Sequence, residues 1–351
     1  MENSIFHRAL KRLDKTISGP ISLFPDQFIY GNREILIAYT GMDHRTIFKA
    51  TFEHGWDIRS SKPITKSLGK QYPHFSWSNQ RISRTMIQNS RLTAIGSPFI
   101  YMVSMLKQSI ERAVENQISD LNEIVFFPLH GNEFEFQNTE SQIELFKARY
   151  DTNETTVCLY WAEYINPRII QLYKQAGFKR IVTAGFSGQV QNTGLGYSAR
   201  NLAASPMGGR NLFYLQLISY LVKHQKVIVG GFGSICFYAA YLNKEIEMLK
   251  SHNQNTILAL NSEFKSWIEA YNREQQNFLE TILHTSFANI NYSSASFREL
   301  ASIELGAQCF KSSIDLQNIL NGCSTLGASS LSSEETGHAI LNFYDTFLSI
   351  N

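Results

Sequence analysis

Short apolar runs alternate along most of this chain with stretches whose apolar residues recur every three or four positions. That rhythm is characteristic of α/β units built on a parallel sheet. In the first third, REILIAYTG (33–41), PHFSWS (73–78) and RLTAIGSP (91–98) read as strands, and HRTIFKATFEHGW as a short helix or loop. After Pro98, the spacing of Phe99, Val103, Leu106, Ile110 and Val114 predicts a helix to about Gln117. A new strand opens at Glu123 with EIVFFPLHG, which places a domain boundary near 117–122. TTVCLYW (155–161) and KRIVTAG (179–185) are further strands, separated by a helix entered at Pro167 and closed at Gly177. Residues 187–210, rich in Gly, Ser, Asn and Ala and without periodicity, have the character of a lid, a binding loop or a disordered segment. Helix NLFYLQLISYLVKH then leads into KVIVGGFGSICFYAAYLNKEI (226–246), a strand, a Gly/Ser turn and an apolar helix. Leu260, Phe264, Trp267, Ile268, Tyr271, Phe278 and Ile282 mark a long amphipathic helix, and Ser332 with Glu335 forms a capping box for a last one. The expected organisation is two α/β domains, 1–120 and 121–290, followed by a helical tail, 291–351.

Composition narrows the class without naming a function. A chain of 351 residues suits two domains, and 43% hydrophobic with 18% charged residues describes a soluble globular protein. The net charge of +2 argues against a dedicated nucleic-acid binder. No apolar run reaches the roughly 20 residues that span a bilayer, and the first residues lack the apolar core of a signal peptide, so a cytoplasmic location is expected. Four widely separated cysteines indicate neither a zinc site nor a disulfide framework, and read as buried free thiols. There is no HExxH, no DxD-like cluster and no CxxC, so no metal is expected; the GxSxG elbow of a serine nucleophile is also missing.

The chemistry-bearing residues gather at predicted strand ends. In the turn at 230–234, Gly230, Gly231 and Gly233 would let backbone come close to a ligand, and Ser234 adds a hydroxyl. Free amides and the positive end of a helix dipole would then face a phosphate. The same stretch equally describes a tight turn that binds nothing. In EHGW, His54 is a candidate general base, with Glu53 or Asp57 tuning it, and Trp56 alongside on the acceptor side. Asp43 with His44, just past the first predicted strand, is a second pair, and His130 in PLHG occupies the corresponding place in the second domain. Glu163, at the end of the next strand, could hold a sugar hydroxyl, and Arg200 and Arg210 could pair with phosphate. Each has a plain structural alternative: a loop histidine, a solvated carboxylate, a surface arginine. The Gly/Ser turns SWSNQR and IGSPF are further contact candidates.

The order of a strand, HG, WS, IGSPF, PLHG and then GGFGSICFYAAYLNKEI resembles bacterial glycosyltransferases of the GT-B type, with two Rossmann-like domains facing a cleft. It is most similar to the surface-polysaccharide (capsule and lipopolysaccharide) group that includes Kdo and sialic-acid transferases, capsule polymerases and CDP-glycerol glycerophosphotransferases. The resemblance implies an N-terminal acceptor domain with His54 as base beside Gly55. It also implies a C-terminal donor domain whose turn at Gly231, Gly233 and Ser234 holds the donor phosphate, with Phe237, Leu242 and Lys244 matching the rest of that motif. Arg210 would be its charge partner, and His130 and Glu163 would line the donor side. This chain departs from the pattern in having Gly233 for the first of two serines, PLHG for a His-Pro pair, and Glu245 for a proline. The implied reaction moves a sugar from a nucleotide sugar, a CMP-linked ulosonic acid by analogy, to a saccharide or lipid-linked saccharide. No cofactor, metal or nucleic acid takes part, and the enzyme can sit peripherally at the inner face of the membrane. The alternatives are a CDP-polyol-phosphate transferase and a non-catalytic saccharide-binding or assembly partner with the same fold.

Overall fold

The computed structural model describes residues 30–43, 46–53, 55, 72–84, 91–108, 110–111, 124–129, 135–164, 166–184, 213–249 and 262–326. Its strands are β1 (Thr46–Phe48), β2 (Thr51–Phe52), β3 (His74–Ser76), β4 (Leu92–Ala94), β5 (Ile124–Phe127), β6 (Thr155–Leu159), β7 (Arg180–Thr183), β8 (Lys226–Val229), β9 (Glu245–Met248) and β10 (Ser324–Leu326). The helices are α1 (Asn32–Thr40), α2 (Asn79–Arg84), α3 (Pro98–Met105), α4 (Glu135–Lys147), α5 (Trp161–Tyr164), α6 (Pro167–Gln175), α7 (Phe213–Lys223), α8 (Ser234–Tyr241), α9 (Ser262–Leu283), α10 (Ala295–Glu304) and α11 (Ser313–Asn321).

The predicted α/β class with parallel sheets is what the molecule has. Strands β5 to β9 form a parallel sheet in the order β7-β6-β5-β8-β9. Such a sheet is covered on both faces, which is why IVFF, TTVCL and KVIV are continuous apolar runs and not alternating ones. Successive residues feed opposite cores. Val125, Phe127, Val227 and Val229 pack with α7 and α8, whereas Phe126, Val157, Leu159 and Ile228 pack with Phe146 of α4 and Ile169 and Tyr173 of α6. A second parallel sheet, β2-β3-β4, carries the residues around Glu53, and β1 pairs antiparallel with β10 from the far end of the chain.

Three expectations need correcting. REILIAYTG is helix α1, bracketed by Gly31 and Gly41, both left-handed, and closed by the Gly41 N–H donating to the Ile37 carbonyl at 2.9 Å. The stretch after it, expected as helix or loop, supplies β1 and β2. The helix after the glycine turn ends at Tyr241, so that Ile246 lies in the edge strand β9. The helix after Pro98 is capped at Leu106 and helical backbone resumes at 107, 108, 110 and 111, while its expected end near Gln117 lies outside the described residues. The amphipathic helix at 262–283 is present as α9, with Leu279 in the core and Ile282 exposed. The capping box at Ser332 lies outside the described residues, as does the loop at 187–210.

Helix α8 is where the two sheets meet. Its Tyr238 stacks on Phe99 of α3 at 4.3 Å and lies 6.3 Å from the Trp77 ring; Phe237 stacks on Phe297 of α10 at 5.6 Å. One apolar core therefore runs from Phe52, Phe75 and Trp77 through α8 to Val227 and Val229. Beyond α10 the chain returns to the β2-β3-β4 sheet. Gly306 (φ +76) lies so close to Trp77 that an added Cβ would fall 1.7 Å from its carbonyl oxygen. The Ser97 N–H donates to the Leu305 carbonyl at 2.9 Å.

Candidate functional site

Numbered from its own first strand, the five-stranded order is 3-2-1-4-5, and the reversal falls between β5 and β8. In open parallel sheets of this kind, ligands sit outside the carboxyl ends of the strands at that reversal. The carboxyl ends here are the Pro128–Leu129 segment and the glycine turn at 230–233. The two are packed tightly. The Gly230 N–H donates to the Phe127 carbonyl at 2.8 Å, and a Cβ on Gly230 would lie 2.1 Å from Gln142 Oε1 and 2.4 Å from the Leu129 nitrogen. From α4, Gln142 clamps the end of β5, accepting the Leu129 N–H at 2.6 Å and donating to its carbonyl at 3.0 Å. Gly230 is thus glycine for close approach.

Gly233 is different. Its backbone is extended (φ −178, ψ −168), open to any residue, and a Cβ there would meet nothing within 4 Å. It is the N-cap of α8 and supplies no side chain to the first turn. The space that a side chain at this N-cap would fill is open. Ser234 is half-buried at the start of α8, and its hydroxyl bonds the Tyr238 phenol, which meets the Tyr214 phenol at 3.2 Å. Burial pushes the Tyr238 phenol well up, against the lowering influence of the Tyr214 and Ser234 hydroxyls and the Arg81 charge.

Across from this turn stands the end of β2. A Cβ built on Gly55 would lie 3.9 Å from Ser234 Oγ, so Gly55 and Ser234, 179 residues apart in sequence, adjoin in space. Below it lies a buried ionic network. Arg81 donates from Nε to Glu53 Oε1 at 2.7 Å, pairs with the same oxygen through Nη2, and reaches Glu304 Oε2 from Nη1 at 3.4 Å. Glu304 also holds Arg84 at 2.5 Å. The second carboxylate oxygen of Glu53 accepts the Ser76 hydroxyl at 2.8 Å and the Trp77 N–H at 2.9 Å. Burial alone would raise the Glu53 carboxyl; the Arg81 charge and hydrogen bonds, with those of Trp77 and Ser76, bring it down to about 2.

Glu53, expected beside His54 as a catalytic or tuning group, is turned into the interior. Both its oxygens are engaged in the interior, and a carboxylate held so low exchanges no proton near neutral pH. Asp43 is exposed and follows a helix, not a strand, and its carbonyl accepts the Thr46 N–H at 2.8 Å at the start of β1. Glu163 is buried, and its Oε2 accepts the Tyr160 N–H at 3.2 Å, capping the short turn α5. Lys244 donates to the Val222 carbonyl at 3.0 Å at the end of α7, where a cation suits the helix dipole. In IGSPF, Ser97 is fully buried and accepts the Phe99 N–H at 3.2 Å as the N-cap of α3, a structural use. His44, His54, Trp56, Asp57, His130, Arg200 and Arg210 lie outside the described residues. Among the described residues there is no cluster of three His, Cys, Asp or Glu suited to a metal, and the four cysteines are buried and unpaired. Arg81, Glu304, Tyr214 and Tyr238 were not legible as parts of this region, because their partners come from distant segments.

The fold and turn define the class: a doubly wound α/β protein whose candidate site lies at the reversal of its strand order. No protein-family model and no curated protein matches the chain. Among solved structures it is similar to S. aureus MnaA in a co-structure with UDP, at 11% identity over 100% of this chain and 83% of that one, with a TM-score of 0.39. It is also similar to a protein described as a UDP-N-acetylglucosamine 2-epimerase from Listeria monocytogenes (12% identity, 86% and 68% covered, TM-score 0.32). A glycosyltransferase from Rickettsia africae matches at 12% identity, 86% and 71% coverage and a TM-score of 0.27. Likenesses this slight decide nothing about the chain's activity.

Proposed function

We propose that this chain is a GT-B-like, metal-independent glycosyltransferase that moves a sugar from a nucleotide sugar to a saccharide acceptor. The observation that supports the reading is the meeting of Gly55 with Ser234, beside a glycine turn whose N-cap residue has open space where a side chain would be. Two parallel sheets thus bring carboxyl-end segments to one place, one able to take an anion and the other able to present a second substrate.

In this reading the donor phosphate rests on the amides of Gly231, Gly233 and Ser234, with Arg210 as counter-charge and His130 and Glu163 on the donor side. His54 takes the proton of the acceptor hydroxyl as its oxygen bonds to the anomeric carbon and the carbon–phosphate oxygen bond breaks. Charge developing on the leaving phosphate is met by the helix amides. Trp56 and Asp43 belong to the acceptor side, and of these Asp43 has lost its strand-end motivation. A CMP-linked ulosonic acid is the donor proposed by analogy, and surface-polysaccharide assembly the setting. The domain division 1–120, 121–290 and 291–351 and a cytoplasmic place at the membrane's inner face are part of the same proposal. No helix among the described residues is long and apolar enough to cross a membrane.

Thermal-shift titration with CMP, CDP, UDP and GDP, followed by sugar-nucleotide screening with mass detection of product, tests this. Stabilisation by one nucleotide and a product one sugar heavier is the expected result. A CDP preference with polyol-phosphate transfer would establish the related transferase instead, and no binding by any of the four would leave a non-catalytic partner.

A further inference from the structure

We propose that Arg81 is a positioning residue that sets the Glu53–Gly55 segment against the turn at Ser234, with the C-terminal helix α10 contributing through Glu304. The kinetic part of this rests on the transferase reading; the structural part does not. Arg81 is completely buried, and its one planar guanidinium serves three acceptors from separate parts of the chain: the Glu53 carboxylate, the Gly55 carbonyl at 3.4 Å and Glu304 at 3.4 Å. It also lies over the Trp77 ring at 5.1 Å, while the Trp77 indole N–H donates to the Glu53 carbonyl at 3.1 Å. Glu53 and Glu304 set two carboxylates against the guanidinium groups of Arg81 and Arg84. Buried ion pairs rarely outdo apolar packing of equal volume in stability, so geometry is what such a network supplies. Here the geometry ends on the Gly55 carbonyl, in the segment whose other face meets Ser234. A lysine keeps the charge at this site but cannot serve three acceptors in one plane.

The test compares Arg81→Lys and Glu304→Gln with wild type. The Trp77 indole, one of four in the chain, reports on the Glu53 carbonyl by nitrogen-15 NMR, and the Trp77 backbone amide, held by the Glu53 carboxylate, reports by hydrogen exchange. Arg81→Lys is expected to shift the indole resonance and speed exchange at Trp77 by about tenfold or more. Turnover should fall by about tenfold or more with nucleotide affinity within about twofold of wild type. Glu304→Gln should move both readouts the same way by less, since Glu53 still holds Arg81. Unchanged Trp77 signals in a folded Arg81→Lys protein would overturn the role, as would a loss that appears in nucleotide affinity and not in turnover. Where Arg81→Lys does not fold, Glu304→Gln decides by the same two readouts. Failure of wild type to bind any nucleotide would sink the transferase reading alone, leaving the Trp77 comparison to decide Arg81.

Discussion

Glu53→Gln isolates the charge at the centre of this network while keeping the shape of the side chain. A carboxyl brought from its ordinary 4.5 down to about 2 in the folded protein favours folding by about 3 kcal/mol at neutral pH. The sign follows from the direction: the folded value lies below the unfolded one, so the contribution is complete above about pH 4.5 and fades as pH falls toward 2. The substitution also leaves Arg81 buried with Glu304 as its remaining anion and turns an amide donor toward it, so the expected loss at pH 7 is about 3 to 5 kcal/mol. Urea unfolding of both proteins, followed by tryptophan fluorescence at pH 7, 4 and 3, measures the gap. Protonation of the wild-type carboxyl should narrow it by about 1 kcal/mol at pH 4 and by about 2 kcal/mol at pH 3. A gap under about 1 kcal/mol at pH 7, or one that stays constant down to pH 3, would refute the claim that Glu53 is an ionised partner of Arg81.

Gly233→Val should fold with a melting temperature close to wild type, because its added Cβ enters open space and its extended backbone suits valine, yet it should abolish nucleotide binding; unaltered calorimetric titration would remove the turn from the site. Ser234→Ala should weaken that binding by about 1 kcal/mol, the scale of one hydrogen bond, and an unchanged dissociation constant would return Ser234 to its bond with Tyr238 alone. Gly306→Ala combines a positive φ with a Cβ 1.7 Å from the Trp77 carbonyl oxygen, so loss of soluble protein or a fall of several degrees in melting temperature is expected, and a wild-type melt would contradict the packing. His54→Ala should lower turnover by about a hundredfold with donor affinity near wild type, since a base acts on the acceptor hydroxyl in the transition state; full activity would shift the role to His130.

Strands β5, β6 and β8 were readable because each is a largely apolar run buried on both faces and bounded by Gly, Pro or Asn, whereas the edge strand β9, EIEM, alternates with charge and was read into the helix before it. Helix α1 was misread since ILIAY is short and apolar, and periodicity cannot separate a buried helix from a buried strand over such a length. The better guide was Gly41, placed where a helix commonly ends in the left-handed region. Strands β1 and β2 have three and two residues, too few for any period to show.

By itself, the sequence determined the α/β class, strands β5 to β8 of the larger sheet and the turn at 230–234, because these depend on local composition and on repeats that a few neighbouring residues express. Tertiary structure alone decided that this turn lies at the reversal of strand order, that Gly55 faces Ser234, and that Glu53 is buried against Arg81, Ser76 and the Trp77 amide. Arg81 lies 28 residues from one carboxylate and 223 from the other. Nothing local distinguishes it from a surface arginine, and only the packing of α2 between the end of β2 and the end of α10 takes Arg81 and both carboxylates out of water together, with Arg84 at the edge.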